Sequence, residues 1–192
     1  GALVQGIEVA DRAYAGGWWD WLSLFSLLTG LAVVVGYALL GATWIILKTE
    51  DSLQRRMQTL AWYLGAGTLL FIGIVSVLTP FQDPEYFRRW LNMPGVVFSV
   101  VMPVAVALSA WALFTGLNAG KDGQPFLAAL SLFILCFIGI GISFYPHIVP
   151  PGLTIKEAAA PDESLWFTLV GTLVLVPMIL GYTAYAYWVF RG

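Results

Sequence analysis

Charge is what this sequence has least of. Asp, Glu, Lys and Arg make up 10% of its 192 residues, against about 25% in an ordinary soluble domain. The few charges nearly cancel to −2, so there is no basic footprint and no reason to expect a nucleic-acid partner. A single cysteine, Cys136, excludes an internal disulfide and any Cys-x-x-Cys metal or redox motif. A single histidine, His147, leaves no imidazole pair. The opening residues lack both a Met and a basic segment and are not read as a signal peptide. Gly1–Ile7 reads instead as the last turns of a helix whose start is missing, and the chain is expected to be part of something longer.

What the sequence has in place of charge is long apolar runs. Hydrophobic residues account for 59% of it, with nine Trp, eight Tyr and twelve Phe, the ring types that settle at bilayer headgroups. Crossing the hydrocarbon takes about 20 apolar residues as a helix. Five stretches meet that test: 21–47, 60–78, 94–117, 126–144 and 165–190. Backbone polar groups in lipid must be satisfied within the segment, and the runs show no alternation, so helices are expected and a barrel is not. The expected fold class is an all-α integral membrane protein. It is a single domain over 1–192, a bundle of about five transmembrane helices plus the tail of a sixth, with short interfacial helices in the outer loops.

The connections carry their own signals. Gly16-Gly17-Trp18-Trp19-Asp20-Trp21 is a glycine turn running into interface tryptophans. Asp83, Pro84 and Glu85 read as N-cap, first and second helical residues of an interfacial helix over 83–90, greased by Tyr86, Phe87 and Trp90. Pro94 suits the first turn of the third span. Thr154 to Glu157 fits a capping box, and Asn118–Gln124 a tight turn between antiparallel neighbours. Counting basic residues on alternate sides sets Arg12, Arg88, Arg89 and Lys156 against Lys48, Arg55, Arg56, Lys121 and Arg191. The second side, with the C-terminus and the Lys48–Arg56 loop, is placed in the cytoplasm by that small excess. Glu8, Asp11, Asp20, Asp83, Glu85, Glu157, Asp162 and Glu163 fall on the other side.

Few residues could carry chemistry. Charged groups at bilayer depth mark ion pathways, and the five spans contain none. Their hydroxyls, such as Thr29, Thr43, Thr68, Ser76, Ser99, Ser109, Thr172 and Thr183, are expected to bond to backbone carbonyls or across helices. His147 is read as a headgroup-level histidine rather than a haem ligand. An electron-transfer haem usually takes two axial ligands, and Met102, Met178 and Cys136 have no His partner on a neighbouring span. Gly30, Gly36, Gly41, Gly65, Gly67, Gly73, Gly139, Gly141 and Gly171 are read as helix-packing positions. Tyr182, Tyr185 and Trp188 are read as an aromatic belt. No catalytic, cofactor-binding or metal-ligating residue is assigned. The residues alone leave two functions: a partner subunit in a larger membrane complex, or a small transporter or channel lined by hydroxyls.

Three longer segments narrow this. Gly36 to Glu50 (GYALLGATWIILKTE), Tyr145 to Pro161 (YPHIVPPGLTIKEAAAP) and Tyr182 to Arg191 (YTAYAYWVFR) resemble subunit II of the cytochrome bd-type ubiquinol oxidases, including the cyanide-insensitive branch. Val4-Gln5-Gly6 and Tyr14-Ala15-Gly16-Gly17 are similar to the same family, while Gly152 and Lys156 depart from its pattern. The resemblance covers the C-terminal half of such a subunit. It implies a quinol:dioxygen oxidoreductase in the bacterial inner membrane. Two b-type haems, one d-type haem and the quinol site would belong to subunit I. This chain would be its non-haem partner, supporting assembly and proton and oxygen access. A small single-helix subunit and membrane lipid are further partners that the resemblance allows. An unrelated multi-span transporter is the alternative.

Overall fold

The computed structural model describes residues 1–10, 13–82, 84–93, 95–150 and 152–190. Asp11, Arg12, Asp83, Pro94, Pro151 and Arg191 lie outside the described residues, so the cap read at Asp83 and the first-turn proline at Pro94 go without a structural account; the same holds for the side chains of Pro84, Glu85, Phe87 and Arg89. The chain opens with a short helix, α1 (Ala2–Gln5), and an antiparallel hairpin of β1 (Val9–Ala10) and β2 (Ala13–Tyr14). Two-residue strands are too short to show the alternation by which a strand is read from sequence.

The first span, α2 (Leu24–Lys48), starts at Leu24 rather than Trp21 because Ser23 caps it, its Oγ accepting the Ser26 N–H at 3.0 Å. The tryptophans before it form turns instead. Trp21 Nε1 donates to the Trp18 carbonyl at 2.9 Å, and the two rings of Trp19 and Trp21 stack. Trp18 is 93% exposed.

The expected Lys48–Arg56 loop shrinks to Thr49 and Glu50, because α3 (Asp51–Leu78) begins well before its apolar stretch does. A helix needs no apolar side chains once it leaves the hydrocarbon, so hydropathy dates its start too late. Asp51 takes a left-handed backbone (φ 59°) at this sharp corner, a conformation that Asp tolerates better than most residues. Pro80 sits inside a 3-10 turn (Thr79–Phe81), and the expected interfacial helix, α4 (Pro84–Leu91), follows.

The next pair is α5 (Gly95–Asn118) and α6 (Gly123–Phe144), which pack against each other as antiparallel neighbours. Gly120, at φ 64°, closes α5. The Lys121 N–H reaches the Gly116 carbonyl and the Gly120 N–H that of Leu117, the paired bonds of a glycine-terminated helix. A hairpin of β3 (His147–Val149) and β4 (Leu153–Thr154) follows, with His147 opposite Thr154.

Residues 1–154 form one compact unit and residues 155–192 a second. The second holds α7 (Ile155–Ala158), where the capping-box pattern placed a helical turn, and α8 (Asp162–Val189). α8 starts ahead of its apolar run because Asp162 and Glu163 suit the positive end of the helix dipole. On α8, Tyr182, Tyr185 and Trp188 are exposed, the last two with ring centroids 6.2 Å apart.

In the first unit α2 packs on α3 and α6, and α5 packs on α6 and α3, closing a four-helix ring. Its core is Leu39, Ala42, Ile46, Ala61, Leu113, Leu117, Ala128, Ala129 and Leu132. All nine lie toward the Lys48 and Lys121 ends of their helices, except that Leu39 and Leu132 reach mid-span. Lipid tails are as apolar as leucine, so this core is held by close packing rather than by escape from water. Small residues allow that packing. A Cβ on Gly65 would sit 3.0 Å from Leu113 Cδ2, and one on Gly67 3.5 Å from Val35 Cγ1. Gly36 likewise faces the Phe133 ring, whereas Gly30, Gly41, Gly73, Gly139, Gly141 and Gly171 have no neighbour within 4 Å inside this chain. Sequence cannot tell which face of a helix meets a neighbour.

Candidate functional site

Toward the other end of the same unit the four helices part. They leave a cavity of about 1360 Å³ between α2, α3, α5 and α6, with α4 across its polar mouth. Hydroxyls stand on its walls, and several of them spend their protons on backbone carbonyls. Thr29 Oγ1 donates to the Ser26 carbonyl at 2.9 Å and Thr68 Oγ1 to Leu64 at 2.8 Å. Ser99 Oγ donates to the Trp90 carbonyl at 2.9 Å. Away from the cavity Thr43 and Thr172 do the same to Leu39 and Thr168, as expected of hydroxyls in lipid. The cavity wall is therefore largely apolar.

Its mouth is built by side chains that tie distant segments together. Trp90 Nε1 donates to Ser143 Oγ at 3.3 Å, joining α4 to α6. Tyr86, 3% exposed, donates to the Val4 carbonyl at 3.1 Å and so joins α4 to α1. Outside the cavity lining, Gln5 accepts from Ser23 Oγ and donates to Gln82 at 3.4 Å. At the packed end Gln54 Nε2 reaches both the Ile46 carbonyl and Asp122, and Gln124 Nε2 the Ala112 carbonyl. The bonds of these four glutamines were not foreseen in the sequence reading. Their signal was there: an amide flanking an apolar span has carbonyls to satisfy.

Of the residues weighed as haem ligands, Met102 on α5 and Cys136 on α6 both line the cavity. His147 does not. It stands half-buried in β3, beyond the end of α6. Among the described residues no three His, Cys, Asp or Glu side chains gather as a metal site. The donor set of this chain, a thioether and a thiol without an imidazole beside them, does not fit a bis-liganded electron-transfer haem.

Outside the spans, among the described residues, Tyr14 anchors an ionisable cluster. Tyr14 Oη donates to the Gly17 carbonyl at 2.6 Å and to Asp20 Oδ2 at 3.1 Å. The phenol is held above its ordinary value by desolvation first, then by the bond to and charge of Asp20, and by Glu8. With 54% of Tyr14 exposed, the Asp20 carboxylate is the firmer cause.

The family whose model matches the chain, over residues 1–190, is cytochrome bd terminal oxidase subunit II. The cytochrome bd ubiquinol oxidase subunit 2 of Bacillus subtilis is 25% identical over 179 residues, 90% of this chain and 51% of that one. The cytochrome bd-I ubiquinol oxidase subunit 2 of Escherichia coli is 25% identical over 234 aligned residues, 100% of this chain and 60% of that one. A putative manganese efflux pump of Halalkalibacterium halodurans is 30% identical over 95 residues, 46% of this chain and 50% of that one. The chain thus spans between 51% and 60% of the length of these two oxidase relatives.

Proposed function

The chain belongs to the cytochrome bd terminal oxidase subunit II family, and from that membership we propose that it is the non-haem partner subunit of a membrane quinol:dioxygen oxidoreductase. It is a multi-pass membrane protein, with five helices long and apolar enough to cross the bilayer. The observation that carries the proposal is a family match from one end of the chain to the other. The manganese-pump likeness covers less than half of it, so the transporter reading is not preferred.

In this proposal the haems and quinol oxidation belong to subunit I. The chain's contribution is a membrane scaffold for assembly and for proton and oxygen access. Its apolar cavity supports a role in oxygen access, because dioxygen is itself apolar and partitions into such space. Its spans support a smaller part in proton movement: Leu60–Leu78 and the other four apolar stretches carry no carboxylate that could relay a proton. A small single-helix subunit is a further partner in the proposal.

Purification of the tagged chain from membranes in mild detergent tests it. A larger haem-bearing subunit should accompany the chain, the reduced-minus-oxidised spectrum should show b- and d-type bands, and quinol should drive oxygen uptake. A colourless preparation, or one that moves manganese across proteoliposomes, would overturn the proposal.

A further inference from the structure

We propose that the cavity of the four-helix unit holds one anionic phospholipid, its acyl chains between α3, α5 and α6 and its phosphate at Arg88. The inference rests on the cavity alone and does not require the oxidase reading.

Size comes first. At about 1360 Å³ the space exceeds the roughly 300–1,000 Å³ of ordinary small-molecule pockets. No side chain of the unit fills it: a Cβ on Gly139 or Gly73, both on its wall, would meet nothing within 4 Å. An apolar void of that size at bilayer depth loses dispersion contacts on every wall, and the hydrocarbon available to fill it is lipid.

The wall chemistry selects among amphiphiles. A quinone head needs donors for its ring oxygens, and four of the wall hydroxyls, Thr29, Thr68, Thr79 and Ser99, spend their protons on backbone carbonyls. Acyl chains need no donor. Among the described residues the charged side chain of the lining is Arg88, exposed at the mouth with neighbouring Asn92 beside the Trp90 indole. A guanidinium with an indole at the edge of an apolar slot complements a phosphate at headgroup level. Arg88 and Trp90 share α4, the interfacial helix, so the cation is held at the depth where the phosphate would lie.

Native mass spectrometry and lipid extraction of the protein, purified from membranes with whatever accompanies it and washed in detergent, test this in three forms: wild type, Arg88→Gln and Gly139→Phe. The wild type should keep one phospholipid, anionic in preference to zwitterionic. Arg88→Gln should weaken retention of the anionic lipid about fivefold, the size expected of one lost cationic contact. Gly139→Phe should expel the lipid by filling its slot. Should Gly139→Phe fail to assemble, wild type against Arg88→Gln decides alone, because Arg88 is exposed and tolerates the change. No retained phospholipid in the wild type, a quinone in its place, or retention indifferent to Arg88 would each overturn the proposal.

Discussion

His147 shows how little a residue type says without its setting. As the sole imidazole it is the one conventional axial ligand the chain could offer a haem. It sits in a three-residue strand paired with Thr154, after α6 has ended. A strand at the rim of a bundle does not lie over the face of a buried macrocycle. Changing His147 to Ala is therefore expected to leave the haem bands of the assembled complex unshifted in a reduced-minus-oxidised spectrum. A displaced or missing band in a complex that still assembles would give this chain a ligand after all. The hydroxyls teach the same lesson from the other side. Thr43 is fully buried, and its proton goes to the Leu39 and Leu40 carbonyls, so it polarises nothing beyond its own helix.

Helix ends follow local chemistry more closely than hydropathy. Ser23 delays the start of α2, Asp162 and Glu163 advance that of α8, and the polar turns from Asp51 lengthen α3 beyond its apolar stretch. Contacts between helices are decided by which small residues face a neighbour. Gly65 faces Leu113 closely, whereas Gly41 has open space. Gly65→Leu should overpack the α3–α5 contact and cost about 1–3 kcal/mol. Gly41→Leu should cost nothing and gain some helix propensity. Thermal unfolding of the two variants in detergent checks the contrast, and equal losses would mean that the Gly65 contact is not a close one.

The first unit is built unevenly along its length. Its leucine and alanine core lies toward the Lys48 and Lys121 ends, and its cavity toward Pro80 and Tyr145. Which end faces the cytoplasm is a question of topology. The small excess of Lys and Arg predicts Lys121, with the Thr49–Glu50 corner and the C-terminus, in the cytoplasm, and Lys156 outside. Both lysines are exposed, so cysteines placed there in a Cys136→Ser background should report cleanly. An impermeant thiol reagent on intact cells is expected to modify position 156 and spare position 121. The reverse pattern would invert the protein in the membrane.

Five membrane helices, the α4 interfacial turn and the α5–α6 hairpin were legible in the amino-acid order, because each depends on residues close in sequence: an apolar run of sufficient length, a proline or a glycine at its end, a cap. The family was legible as well, since the three segments that resemble it are long and ordered, and the match over residues 1–190 shows it. The cavity, its mouth and the neighbours of each glycine were not. All three depend on how helices distant in sequence rotate and spread against one another. In a membrane, where every face of a span is apolar, hydropathy gives no sign of which face turns inward. Val4 and Tyr86, or Trp90 and Ser143, meet only once the bundle has formed. That meeting, rather than any motif, is what closes the apolar space with a polar and cationic rim.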